Sequence, residues 1–122
     1  MNSIRPRRGD IWNVDTPHRP DDPHQPRRVV VISENVRNEL RNHAIVVPIY
    51  SRGNAGPTHL GIKGGTGGLD HDSVIFCEEI STLDYQFFHD GPLGIPIPES
   101  ILRRIVLAVR VALEDETLLL PG

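Results

Sequence analysis

The strongest constraint on the fold of this chain is a run of apolar residues that begins directly behind two arginines. Residues 29–32 are all valine or isoleucine and follow Arg27–Arg28. Such a short, β-branched run between polar segments predicts a buried strand. A second apolar run, 44–49, ends in the hydroxyl pair Tyr50–Ser51. Two core strands thus each deliver phosphate-compatible groups at one end, which points toward nucleic-acid chemistry.

The remaining apolar segments are short and are separated by turn residues. Strands are predicted at about 10–15, 27–33, 44–50, 58–62, 73–77 and 80–83. Short strands joined by short turns imply an antiparallel sheet that curls toward a small barrel. The apolar residues between Ile101 and Ala112 recur at helical spacing and predict an amphipathic helix from Pro98 to Leu113. We therefore expect an α+β fold, and a chain of 122 residues is expected to form one domain, 1–122.

Charge and cysteine content indicate what kind of partner the chain binds and in which compartment it is expected. The net charge is −3, but residues 1–63 carry 10 Lys and Arg against 6 Asp and Glu, whereas residues 64–122 carry 3 against 10. This asymmetry is compatible with an anionic partner at the basic half. Cys77 is the single cysteine, and no apolar run approaches the roughly 20 residues that span a bilayer. We expect a cytoplasmic protein without a disulfide or a membrane segment.

Cleavage of RNA without a metal requires a base, an acid and positive charge near one phosphate. Arginine suits the third role because it stays protonated and offers forked donors. Arg27 and Arg28 are neighbours on a strand, so their side chains point to opposite faces and only one can face such a site. The alternative is that both simply lie at the exposed end of the strand.

Two further groups of residues are candidates for proton transfer. The proline-rich loop 16–26 contains Asp21, Asp22 and His24, although exposed loop histidines are most often just solvated. Glu78 and Glu79 follow the fifth strand, so we expect one carboxylate to point toward the site and the other away from it. The loop lacks the ligand spacing of a closed structural metal site, and we expect neither a metal nor a cofactor.

Four segments in order resemble the MazF/PemK family of toxin endoribonucleases. They are Arg8–Asp15, Arg27–Ser33, Ala44–Ser51 and the block from Asp72 to Asp84. The resemblance covers nearly the whole chain. It implies a homodimer of SH3-like barrels, each with a C-terminal helix, that cuts single-stranded RNA at short sequences without a metal. It also implies inhibition by a cognate antitoxin whose acidic, disordered tail covers the site.

The resemblance also assigns roles by position. Arg27 falls where the family has its catalytic arginine, Asp22 falls close to an acid found in the loop of some members, and Glu78 falls where some members place a catalytic acid. Tyr50 and Ser51 stand where the family usually has threonine and serine to position the phosphate. The candidate RNA-binding residues around them are Arg28, His24, Asp21 and Arg52. The expected products are a 2′,3′-cyclic phosphate and a 5′-hydroxyl.

Two other functions fit the same sequence. A toxin of similar fold that binds DNA gyrase, as CcdB-like relatives do, would perform no chemistry and would not need Arg27 at the mouth of a strand. A barrel that has lost its activity would bind only RNA or an antitoxin, and the tyrosine at position 50 leaves this alternative open.

Overall fold

A computed structural model describes residues 5–16, 21 and 26–114. The strands are β1 (Ile11–Val14), β2 (Arg27–Val31), β3 (His43–Tyr50), β4 (His59–Ile62), β5 (Ser73–Phe76), β6 (Ser81–Asp84) and β7 (Phe88–His89), and the helices are α1 (Asn35–Leu40) and α2 (Glu99–Leu113). Short 3₁₀ turns occupy Thr66–Gly68, Cys77–Glu79 and Tyr85–Phe87. Six of the seven strands and the long helix were predicted from the sequence.

The seven strands form one antiparallel sheet in the order β4-β5-β3-β2-β1-β7, and β6 pairs with β3 beside β5. The predicted α+β fold with an antiparallel sheet and a C-terminal helix is confirmed. One detail of the prediction is wrong, because the strand pairings of the described residues do not close the sheet into a complete barrel. Strands β4 and β7 remain at its two ends.

Strand β3 organises this sheet because it is the longest strand and has neighbours along both of its edges. One edge pairs with β2, with Arg28 opposite Ile49 and Val31 opposite Val46. The other edge pairs first with β6 and then, at Ile49 and Tyr50, with β5. The positions of all the central strands are therefore fixed relative to β3.

Alternate residues of the strands supply two separate hydrophobic clusters, one on each face of the sheet. The cluster under α2 contains Ile11, Val30, Val47, Ile49, Ile75, Leu102, Ile105 and Val109 among others. The cluster on the opposite face contains Trp12, Val14, Val29, Val31, Ala44, Val46 and Leu83. Cys77 belongs to the first cluster, where burial raises the pKa of its thiol to about 11, so it is a core residue and not an activated nucleophile.

Local hydrogen bonds fix the entry into β1. The buried Asp10 carboxylate accepts from the Arg7 backbone N–H at 2.8 Å and from Trp12 Nε1 at 3.3 Å, while desolvation by burial raises the pKa of Asp10. The tight turn before it needs Gly9, whose φ of +94° is strained for other residues. This closed turn anchors the start of the sheet beneath α2.

The ends of the helices differ slightly from the sequence-based expectation. Glu34 caps α1 in place of the shorter Ser, Thr, Asp or Asn that usually does so, accepting from the backbone N–H groups of Val36 and Arg37. Its longer side chain reaches both donors, and these bonds lower the pKa of its carboxyl. Pro98 is the N-cap of α2 and not its first helical residue. In the described ranges, neither helix is long and apolar enough to cross a membrane.

The packing of α2 on the sheet predicts a large effect of shortening Ile105. Its side chain is fully buried, so Ile105→Ala should lower the free energy of unfolding by about 2–5 kcal/mol through lost burial and a residual cavity. Arg104→Ala, on the exposed side of the same helix, should change it by no more than about 0.5 kcal/mol. Urea denaturation followed by circular dichroism measures both. Equal effects of the two substitutions would contradict this assignment of the core.

Candidate active site

The register between β2 and β3 brings the two predicted site residues Arg27 and Tyr50 together. Because Arg28 lies opposite Ile49 in antiparallel pairing, Arg27 comes opposite Tyr50 at the end of both strands. Arg27 also pairs across to Val14 of β1. Arg27 is two residues from Val29, and Tyr50 is four residues from Val46, so both side chains point to the face of the sheet away from α2. They lie at the edge of the cluster on that face.

Tyr50 is held between a cation and a carboxylate. The guanidinium carbon of Arg27 lies 4.6 Å from the centroid of the Tyr50 ring, a distance at which a cation is attracted to the face of an aromatic ring. The phenol hydroxyl of Tyr50 donates to Glu79 Oε1 at 2.5 Å. These three residues line a cavity of about 140 Å³ together with apolar side chains that include Val29 and Val46. A cation, a hydroxyl and an acid therefore meet in one small groove.

A row of aromatic rings connects this groove to a second acid. The Tyr50 ring packs edge-on against the Phe76 ring, with 4.5 Å between centroids. The His59 ring stacks on the same Phe76 ring, with 3.9 Å between centroids. His59 Nε2 lies 2.7 Å from Glu78 Oε1, which also accepts a hydrogen bond from Thr58 at 2.5 Å. The Thr58 bond is the main cause of the lowered pKa of the Glu78 carboxyl. Glu78 is thus an exposed carboxylate bound to β4, separated from Tyr50 by Phe76.

Ser51 and Arg52, which follow Tyr50, lie beside the same site. Together with Arg27, Tyr50 and Phe76 they line an open depression of about 680 Å³. Both are exposed. Their hydroxyl and guanidinium groups therefore lie at the surface beside the Arg27–Tyr50 pair.

Arg28 points to the other face of the sheet, as the alternation of the strand requires. Its Nη1 lies 2.8 Å from Asp70 Oδ1, and this hydrogen bond, together with one from His71, lowers the pKa of the Asp70 carboxyl to about 2. Arg28 and His71 border a polar depression of about 440 Å³ that Arg27 and Ser51 also line. Arg28 therefore adjoins the site from the side of α2, with its charge already paired.

The structure leaves most of the predicted loop group untested. Asp22 and His24 lie outside the described residues, and Asp21 is an exposed turn residue. Over residues 5–16, 21 and 26–114, no three His, Cys, Asp or Glu side chains come close enough together to hold a metal ion.

The family resemblance placed a catalytic acid at Glu78, and the strand pattern left open which of the two carboxylates points toward the site. In the structure, the carboxylate that contacts Tyr50 is that of Glu79. Tyr50 pairs with Val74 of β5, so continued alternation would place Phe76 and then Glu78 on the face of Tyr50. The chain instead makes a 3₁₀ turn over Cys77–Glu79, which rotates the side chains and brings Glu79 to the Tyr50 hydroxyl. The turn after the strand therefore places Glu79, and not Glu78, in hydrogen-bond contact with Tyr50.

The sequence matches a known family over nearly its whole length. Residues 7–113 match the profile of the "PemK-like, MazF-like toxin of type II toxin-antitoxin system" family. The chain is also 38% identical over 81 residues to "Endoribonuclease MazF" of Staphylococcus saprophyticus, an alignment that covers 64% of this chain and 68% of that protein.

Solved structures share the fold. MazF from Deinococcus radiodurans superposes with a TM-score of 0.74 at 19% identity, covering 91% of this chain and 98% of that one. An endoribonuclease in complex with its cognate antitoxin from a mycobacterial species superposes with a TM-score of 0.71 at 20% identity, covering 88% and 94%. At these identities the likeness concerns the fold.

The Arg28–Asp70 contact predicts an unusual titration. The Asp70 carboxyl should titrate with a pKa of about 2, and Arg28→Ala should raise that pKa toward the ordinary value of 3.8, because the hydrogen bond from Arg28 is the largest cause of the shift. Carboxyl ¹³C chemical shifts followed from pH 1.5 to 6 measure it. The exposed Asp84 provides the comparison in the same spectra. An unchanged Asp70 titration in the variant would show that Arg28 is not its partner in solution.

Proposed function

The chain belongs to the PemK-like, MazF-like toxins of type II toxin–antitoxin systems, and we propose that it is a metal-independent endoribonuclease that cuts single-stranded RNA at short sequences. The observation that carries this proposal is the meeting of Arg27, Tyr50 and Glu79 at the ends of neighbouring strands. The alternative of a gyrase-binding toxin is not favoured, since the matched family and relatives are MazF-like. An inactive barrel gives no reason for a cation, a hydroxyl and an acid in one groove.

The proposed reaction is attack of the 2′-hydroxyl on the adjacent phosphorus, which gives a 2′,3′-cyclic phosphate and a 5′-hydroxyl. The pentacoordinate phosphorane that forms on the way carries more negative charge than the starting diester. Arg27 stabilises this charge with donors that are held in place by the Tyr50 ring. Fixed donors of this kind lower the barrier by about 3–4 kcal/mol in measured cases.

The flanking residues suit RNA binding. Ser51 is proposed to position the phosphate, and Arg52 and Arg28 border the depressions through which the neighbouring nucleotides would run. Arginine is well matched to phosphate because its planar fork forms two parallel bonds. The loop residues Asp21, Asp22 and His24 remain candidates for further substrate contacts and proton transfer.

The proposed partners follow from the family and the charge layout. A cognate antitoxin with an acidic, disordered tail would compete with RNA for the same arginines, and the mycobacterial relative is solved with its antitoxin. An enzyme with an RNA substrate and such a partner is proposed to act in the cytoplasm.

The proposed function predicts EDTA-resistant cleavage that depends on Arg27. Purified protein, incubated with a long single-stranded RNA in excess EDTA, should produce discrete cuts that sequencing of new 5′ ends maps to a short motif. Arg27→Ala should reduce the rate by about 10²- to 10³-fold, the usual cost of removing one fixed donor to developing charge. Arg41→Ala, at the exposed end of α1 and beside the end of β3 that lies away from Tyr50, is the matched control. Intact RNA from folded, antitoxin-free protein would refute the proposal.

A homodimer is also proposed, because α2 exposes apolar side chains that a second copy could cover. Leu107 is 56% exposed and Leu113 is 71% exposed. Multi-angle light scattering should give twice the chain mass of 13.6 kDa. Leu107→Glu should shift the molecule toward the monomer, because a carboxylate is costly to bury in an apolar interface. A wild-type monomer at micromolar concentration would contradict the dimer.

A further inference from the structure

We infer that Glu79 and Tyr50 act as one proton-transfer pair that removes the proton of the attacking 2′-hydroxyl. This inference rests on the proposed ribonuclease function and assigns its general base. It also distinguishes Glu79 from its neighbour Glu78, a distinction that the sequence alone does not reveal.

The direction of the Tyr50 hydrogen bond determines what the hydroxyl offers to a substrate. A phenol has one proton to donate, and the proton of Tyr50 points to Glu79 Oε1 at 2.5 Å. A substrate hydroxyl that approaches the same oxygen therefore meets an acceptor. Tyr50 is oriented to receive a proton from the 2′-hydroxyl, and Ser51 is left as the nearby hydroxyl that can donate to a phosphate oxygen.

The carboxylate and the guanidinium support this direction from two sides. Glu79 accepts the phenol proton and so makes the phenol oxygen more basic. The Arg27 guanidinium lies 4.6 Å from the ring centroid, where its attraction to the face of the ring holds Tyr50 in position. The T-shaped contact with Phe76 holds the ring in place. The pair is therefore fixed before substrate arrives, as efficient proton transfer requires.

The step balances as follows. The 2′-oxygen forms its bond to phosphorus while its proton passes to the Tyr50 oxygen and the Tyr50 proton passes to Glu79. The bond from phosphorus to the 5′-oxygen breaks, and this oxygen leaves with the bonding electron pair and takes a proton from water. Glu79 then returns its proton to solvent through Tyr50, which restores the starting state.

Glu78 is not placed for this role. Its carboxylate is held by Thr58 and lies beside His59, and the ring of Phe76 separates that cluster from Tyr50. The inference thus predicts that Glu79→Gln removes the acid limb of the pH–rate profile and that Glu78→Gln keeps it. The comparison between these two variants is therefore the decisive one.

The test measures single-turnover cleavage of a short RNA that contains one mapped cut site. Glu79→Gln should reduce the rate by about 10²- to 10⁴-fold, the usual contribution of a general base. Tyr50→Phe, which keeps the ring contacts, should lose a similar factor, and the double variant should be no slower than the slower single one, because the two residues act as a unit. Glu39→Gln, an exposed glutamate of α1, is the matched control.

The pH dependence separates a chemical role from a structural one. Glu79 must be ionised to accept the proton, so the wild-type rate should rise with pH along an acid limb. In Glu79→Gln this limb should disappear. Thermal unfolding of each variant checks that the fold persists. A merely structural contact would lower the rate without changing the shape of the profile.

A modified substrate tests the direction of transfer. Replacing the scissile 5′-oxygen by sulfur gives a leaving group that departs without a proton. The rate of Glu79→Gln relative to wild type should be as low on this substrate as on the unmodified RNA, because the defect of the variant lies in activating the 2′-hydroxyl. Restored cleavage would mean that the pair protonates the leaving group and would overturn the inference.

Two further outcomes would also overturn it. One is a Glu78→Gln variant that loses the acid limb while Glu79→Gln keeps it, and the other is additive losses for Tyr50 and Glu79. Each of these presupposes wild-type cleavage that Arg27→Ala strongly reduces, so a failure of the pair remains distinguishable from a failure of the ribonuclease proposal.

Discussion

The pairing of β3 with β2 is the constraint on which the rest of the structure depends. It places Arg28 opposite Ile49, and so brings Arg27 opposite Tyr50. A slip of one residue would move every side chain of β2 to the other face. The slip would also exchange the valines of β2 between the two hydrophobic clusters and move Arg27 to the face away from Tyr50, so the apolar pattern that forms the core is the same pattern that fixes the site. The stability of the fold and the geometry of the groove cannot be varied independently here.

The two neighbouring arginines show how one strand serves two surfaces. The Arg28 guanidinium faces the side of α2 and is held by Asp70, whereas Arg27 lies over the Tyr50 ring on the groove side. Because Arg28 and Asp70 are both partly exposed, their ion pair adds little to stability. Its effect is to fix the direction of the Arg28 side chain, so that its charge borders the groove without entering it.

The sequence predicted the fold well because the apolar runs are clean. The runs around Val30 and Val47 are uninterrupted, and α2 keeps one apolar face from Ile101 to Ala112. Strand β7 was missed because it has only two residues, too few to show alternation. In the site, Arg27 and Tyr50 came together as their strands predict, but the partner of Tyr50 is Glu79, which a 3₁₀ turn presents. Alternation carries no information beyond the end of a strand, so Glu79, three positions past the end of β5, cannot be placed from sequence.

The tyrosine at position 50 and the acid at position 79 make physical sense only together. A phenol oxygen lies several ångströms farther from its backbone than the hydroxyl of the threonine that the family usually has at this place. That extra reach is what lets Tyr50 contact a carboxylate across from β3, and its ring is what gives Arg27 a surface to lie on. A threonine here would leave Glu79 without its donor and Arg27 without its aromatic contact. The longer side chain therefore replaces a small hydroxyl by an arrangement in which cation, ring and carboxylate hold one another in position.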